Sequence, residues 1–138
     1  ALEIFQKNSL NKFIKKSDVI VSILPDTKNT NNFINANFLK KMKKSSLLVN
    51  IGRGSVINEI DLVNHIKNNP DFYASLDVFD KEPLMKKHKF WSNKNITITP
   101  HVAAITDHES SISYLYNRFI EFKKNKKIKS DVDIKIGY

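Results

Sequence analysis

Four short runs rich in β-branched residues recur along the chain: DVIVSIL (18 to 24), SLLVNI (46 to 51), FYASLDVF (72 to 79) and NITIT (95 to 99). Each is nearly continuous in apolar residues, the pattern of strands buried on both faces of a parallel sheet. Helical patterns separate the first three. SLNKFIKKS precedes the first run, and NANFLKKM precedes the second with Asn35 as its expected N-cap. NEIDLVNHIKNN precedes the third and is read as carrying Ile60, Leu62, Val63 and Ile66 on one face. Alternation of this kind calls for right-handed β-α-β crossovers, so the class is α/β with a doubly wound parallel sheet. Further on, TDHESSISYLYNRFIEFKKNKK places Thr106 and Glu109 at capping-box spacing. Ile112, Leu115, Tyr116, Phe119 and Ile120 form an apolar stripe there, which predicts the longest helix. The tail IKSDVDIKIGY has no helical period and is expected to be extended or frayed. The expected division is 1–105 for the alternating part and 106–138 for the helix and tail.

Composition narrows the function classes. A net charge of +9 would ordinarily point to phosphate-bearing partners, but Arg53 and Arg118 are the only arginines among 23 basic residues. The bidentate forks that read phosphate and guanine are therefore almost absent. The lysines are scattered through every helix and loop and rise together with asparagine and isoleucine, as an AT-rich coding sequence would produce, so no nucleic-acid partner is expected. The absence of cysteine excludes disulfides and thiolate metal sites and is compatible with a reducing cytoplasm. No metal site is expected. The apolar runs fall far short of the roughly twenty residues that span a bilayer, so no membrane partner is expected and the chain is read as soluble. No secretory signal pattern is visible at the start of the sequence.

In an open parallel sheet, ligands bind beyond the carboxyl ends of the strands. Three of these ends carry chemistry. LLVNIGRGS puts Arg53 just after the second run, between Gly52 and Gly54, which are read as allowing a sharp turn and close approach to a ligand. LDVFDKEP puts Asp77 near the end of the third run and Glu82 in the loop beyond it. ITPH puts His101 just after the fourth. A guanidinium can hold the carboxylate of a 2-oxo acid and polarise its ketone. A carboxylate beside an imidazole favours the imidazolium, which can protonate the ketone oxygen as hydride reaches carbon. The hydride itself has to come from a cofactor. His65, His88 and His108 are read as structural or solvent-facing, and Trp91 as packing.

NIGRG, LDVFDKEP and ITPHVAAIT, in this order and at these intervals, resemble the C-terminal half of the D-isomer-specific 2-hydroxyacid dehydrogenases. HVAAIT and the ending VDIKIGY resemble the branch that reduces glyoxylate and hydroxypyruvate. The resemblance implies that residues 1–105 are part of a Rossmann-type NAD(P)-binding domain. It further implies that Arg53 binds substrate, Glu82 tunes the acid and His101 donates the proton. Leu24, Pro25, Ile51, Gly52, Arg53, Asp77, His101, Ala103 and Ala104 match cofactor-contacting positions, with Val102, Ala103 and Ala104 small enough for a flat ring to pass beside them. The cofactor implied is NADP or NAD, with NADPH favoured by the branch, and the substrate a small 2-oxo acid, glyoxylate or hydroxypyruvate.

No G-x-G-x-x-G occurs, and Gly52, Gly54 and Gly137 could not form one. The phosphate-cradling turn and first β-α-β unit of the domain are thus expected to be absent, leaving a bare sheet edge and uncovered apolar surface. A missing N-terminal half, or a homodimer, is the expected partner. The alternative is a truncated, non-catalytic binding or regulatory domain on the same fold, against which the retention of Arg53, Glu82 and His101 speaks.

Overall fold

The structure, a computed structural model, describes residues 9–104 and 106–126. The chain divides into two compact units, at His101 and Val102. In the first, helix α1 (Leu10–Lys16) leads into strand β1 (Val19–Ser22), and the short helix α2 (Ala36–Leu39) into β2 (Leu47–Asn50). A single 3-10 turn (Gly54–Val56) and helix α3 (Glu59–Asn68) then lead to β3 (Tyr73–Leu76), and a long loop leads to β4 (Ile96–Ile98). The four strands are parallel in the order β1-β2-β3-β4, so each pairs with the next in sequence. All four expected strands are present, each shorter than the run that predicted it. The expected parallel α/β sheet is therefore found, with β1 and β4 at its edges among the described residues.

The helices begin where the sequence supplies caps. The side-chain oxygen of Asn35 accepts the amides of Asn37 and Phe38, and that of Asn58 accepts the amide of Asp61. Of the apolar residues read onto α3, Leu62 and Ile66 are buried and Val63 packs against the core, but Ile60 is 74% exposed. At 100° per residue, Ile60 stands about 160° from Leu62 around the helix, so it cannot share that face.

Pairing register decides which side chains share a face of the sheet. Ile20, Leu48, Ala74 and Ile96 lie side by side and are all buried. With Ile14, Leu39, Leu62, Ile66, Phe72 and Phe90 they form one core, each large member contributing about 1.5–3 kcal/mol by leaving water. Side chains on the opposite face are more exposed. Val19, Val21, Ile23 and Tyr73 are at least half exposed, and Leu47 and Val49 are only partly buried. Burial on both faces, expected from the apolar runs, is thus corrected: α1, α2 and α3 all contribute to the single core on one side.

His65 lies within that core margin, its ring edge-on to Phe72 at 4.7 Å. Its Nε2 is buried with no hydrogen-bond partner among the described residues, and burial holds its pKa below the ordinary 6.5. The unfolded chain therefore takes up a proton on acidification before the folded chain does. Stability from neutral His65 is fully present above about pH 6.5 and is lost as pH falls through the lower folded value. Denaturant midpoints measured from pH 7.5 to 5 are expected to fall more steeply for the native chain than for His65→Asn; parallel curves would contradict this.

The second unit contains helix α4 (His108–Asn125), the longest helix, as expected. Its N-cap is Asp107, whose carboxylate accepts the Ser110 amide at 2.9 Å, not the expected Thr106. Aspartate caps at least as well as threonine, and here it stands one residue nearer the helix. The apolar stripe exists, yet Ile112, Leu115, Tyr116 and Phe119 are all more than half exposed. No helix of the described residues is long and apolar enough to cross a membrane. The tail from 128 lies outside the described residues.

Candidate active site

The loops leaving the carboxyl ends of the four strands carry the residues singled out by the motifs. Leu24 and Pro25 follow β1, Ile51, Gly52 and Arg53 follow β2, Asp77 follows β3, and His101 ends the segment after β4. Ala103 and Ala104 lie just beyond, exposed, in the second unit.

The turn after β2 is built by Asn50, a fully buried residue that sequence reading passed over. Its amide nitrogen donates to the Arg53 carbonyl at 3.0 Å, and its side-chain oxygen accepts the Gly52 amide at 3.3 Å. One guanidinium nitrogen of Arg53 donates back to the Gly52 carbonyl at 2.8 Å. The signal was a polar residue closing an otherwise apolar strand, hidden in a chain rich in asparagine. Asn50→Leu would leave the Gly52 amide unsatisfied in a buried turn, at a cost of about 1–3 kcal/mol. Urea unfolding measures it, and a change below about 0.5 kcal/mol would refute the bracing role.

At Gly52 and Gly54 the backbone of neighbouring loops comes close. A Cβ on Gly52 would lie 2.6 Å from the Leu24 carbonyl oxygen, and one on Gly54 would lie 1.8 Å from the carbonyl carbon of Phe79. Neighbouring backbone occupies the space, so the glycines lock the Arg53 turn against the loops after β1 and β3.

Asp77 is buried, and its carboxylate accepts the Thr99 hydroxyl, which ties the ends of β3 and β4 together. Glu82 sits in the loop beyond, before a cis peptide bond to Pro83. One carboxylate oxygen, Oε1, accepts the Phe79 amide at 2.9 Å, while Oε2 lies 2.9 Å from Nδ1 of His101. An ionised carboxylate only accepts, so Nδ1 carries the hydrogen. The His101 hydrogen bond, then that from Phe79, holds the Glu82 carboxyl below its ordinary pKa of 4.5, against the opposing influence of burial.

His101 has φ 55°, in the left-handed region that a residue with a Cβ enters at a cost. Such strain, of order 1–3 kcal/mol, persists where the surroundings enforce it and clusters at functional sites. Arg53, Glu82 and His101 together line a concavity of about 270 Å³, with Asp26 and Ser55 on its rim. A wider, more apolar cleft of about 730 Å³ opens beside the same pair, walled by Leu84, Trp91 and Pro100. Trp91, read as packing, is 54% exposed there, its indole nitrogen donating to the Met85 carbonyl. His65 and His88 lie apart from the site, within other contacts. Among the described residues no group of three His, Cys, Asp or Glu side chains could hold a metal ion.

Residues 1–103 match the D-isomer specific 2-hydroxyacid dehydrogenase, NAD binding domain. The chain belongs to this family. It is 38% identical over 96% of its length to glyoxylate/hydroxypyruvate reductase A of Photorhabdus laumondii, of which it covers 42%. Among solved structures, it resembles the NADPH-dependent glyoxylate/hydroxypyruvate reductase of Sinorhizobium meliloti in complex with NADP and sulfate. There the TM-score is 0.87 at 29% identity, over 97% of this chain and 44% of that one. A D-isomer specific 2-hydroxyacid dehydrogenase of Xanthobacter autotrophicus in complex with NADPH and MES gives 0.88 at 27% identity, over 96% and 55%. This member of the 2-hydroxyacid dehydrogenases thus spans less than half the length of the curated relative, and it is the C-terminal part of the nucleotide-binding domain that is present.

Proposed function

We infer that this chain carries the proton-handling part of a reductase that converts a small 2-oxo acid, glyoxylate or hydroxypyruvate, to the 2-hydroxy acid with NAD(P)H. The observation that carries this reading is the meeting of Arg53, Glu82 and His101 around one concavity. Arg53 binds the substrate carboxylate and draws electron density from the ketone. Nδ1 of His101 is committed to Glu82, so Nε2 is the atom that delivers the proton to the ketone oxygen. Glu82 fixes the ring through Nδ1. When bound, the cofactor would supply hydride to the carbonyl carbon. Leu24, Pro25, Ile51, Gly52 and Asp77 would hold its nicotinamide end. The partly buried Leu24 and Pro25 and the exposed Ile51 fit the apolar face of a flat ring. NADPH is the preferred form by likeness to the Sinorhizobium enzyme. The phosphate-cradling turn would be supplied from outside the residues present here.

The test is a chimera in which this chain replaces the matching part of the Photorhabdus relative, assayed for NADPH and NADH oxidation with glyoxylate and hydroxypyruvate. Turnover that disappears in Arg53→Ala supports the reading. A folded chimera that binds NADPH and turns over neither acid overturns it.

A further inference from the structure

The loop that carries Glu82 has no regular structure from Asp77 to Asn95, yet its carboxylate has to face His101 in one orientation. A single side chain on α3 grips this loop at two places. Glu59, at the first position of α3, accepts the Asp80 amide through Oε1 at 3.3 Å and pairs with Nε2 of His88 through Oε2 at 3.2 Å. Both side chains are largely withdrawn from solvent, at 24% and 19% exposure. The far side of the His88 ring is fixed as well. It stands edge-on to Phe90 at 4.5 Å, and its Nδ1 accepts the Phe90 amide at 3.4 Å. That acceptor role places the ring hydrogen on Nε2, so the contact to Glu59 holds whether or not the ring is charged. Phe90 is itself in the core, and α3 is anchored by buried Leu62 and Ile66.

We propose that Glu59 is a positioning residue for the Glu82–His101 pair, bracing through Asp80 and His88 the two sides of the loop in which Glu82 lies. The path is short. Asp80 adjoins Phe79, whose amide holds Oε1 of Glu82 and leaves Oε2 directed at His101. Release of Asp80 and His88 lets the Phe79 amide and the carboxylate move independently, and the hydrogen bond to His101 loses its fixed geometry. The inference rests on the reading of Glu82 and His101 as the proton-handling pair, but its test does not depend on turnover.

Carboxyl carbon titration by NMR, with amide hydrogen exchange, reads the effect on the full chain. In Glu59→Gln the Glu82 midpoint is expected to rise toward 4.5, with Phe79 amide exchange faster by on the order of tenfold. The sign discriminates. Removal of a nearby negative charge alone would lower the Glu82 midpoint, because a carboxylate ionises more readily with one fewer like charge near it. His88→Gln, which keeps the Glu59 charge, is expected to act in the same direction and decides the matter if Glu59→Gln does not fold. An unchanged or lowered Glu82 midpoint with an unchanged Phe79 amide overturns the proposal. An inactive chimera with this coupling intact would count against the reductase reading alone.

Discussion

Replacing His101 with asparagine is expected to lower kcat/KM for glyoxylate reduction by the chimera about 10²- to 10⁴-fold, the usual worth of a positioned general acid. Asparagine is the informative choice. At φ 55° an alanine would add backbone strain to the loss of the acid, whereas asparagine tolerates the left-handed region and isolates the chemistry. The thermal midpoint should stay within a few degrees of the parent. Since Nδ1 faces Glu82, Glu82→Gln should give a smaller loss, because the imidazole remains but its ionised partner does not. Steady-state kinetics over a pH series settles the assignment: a His101→Asn enzyme within threefold of the parent would remove His101 from the reaction.

Gly54→Ala is expected to be the most damaging single methyl in the first unit. The new Cβ would sit 1.8 Å from a backbone carbon and 2.1 Å from the oxygen of Phe79, contacts that no rotamer can relieve. Either the Arg53 turn or the loop after β3 has to move. Overpacking costs about 1–3 kcal/mol where side chains can yield, so a clash with backbone should reach about 3 kcal/mol or more. Against a typical stability of about 5–15 kcal/mol that is a large share, and the melting temperature should fall by roughly 10 °C. Gly52→Ala, with its closest approach at 2.6 Å, should cost less. Calorimetry on both variants checks the order. A Gly54→Ala protein as stable as the parent would mean the two loops are not locked together.

The strands were legible because β-branched runs bounded by polar residues leave few alternatives, and Asn35 announced its helix by capping chemistry. Arg53, Glu82 and His101 were legible because a parallel sheet delivers the ends of its strands to one edge whatever lies between them. What supports them was not. Asn50 looked like one more asparagine, and Glu59 like one more charge on an amphipathic helix, because each acts through contacts with residues three or twenty-one positions away. Uncovered apolar surface was expected from the missing first β-α-β unit, but the strands it would fall on were not. Val19, Val21 and Tyr73 record the surroundings for which the strand is made, and a strand's sequence does not say which chain provides them.

The hydrogen bonds and ion pairs described around the three site residues join positions 50 to 101, and the loop after β1 that meets Gly52 belongs to the same unit. The site can therefore be inherited as a block. A recombination joint placed ahead of β1 would transmit the geometry of Arg53, Glu82 and His101 undisturbed. Nucleotide preference would follow whichever parent supplied the first β-α-β unit, where the ribose-recognising residue of such folds resides. For lineages that reshuffle these genes, chemistry and coenzyme choice become separately exchangeable traits.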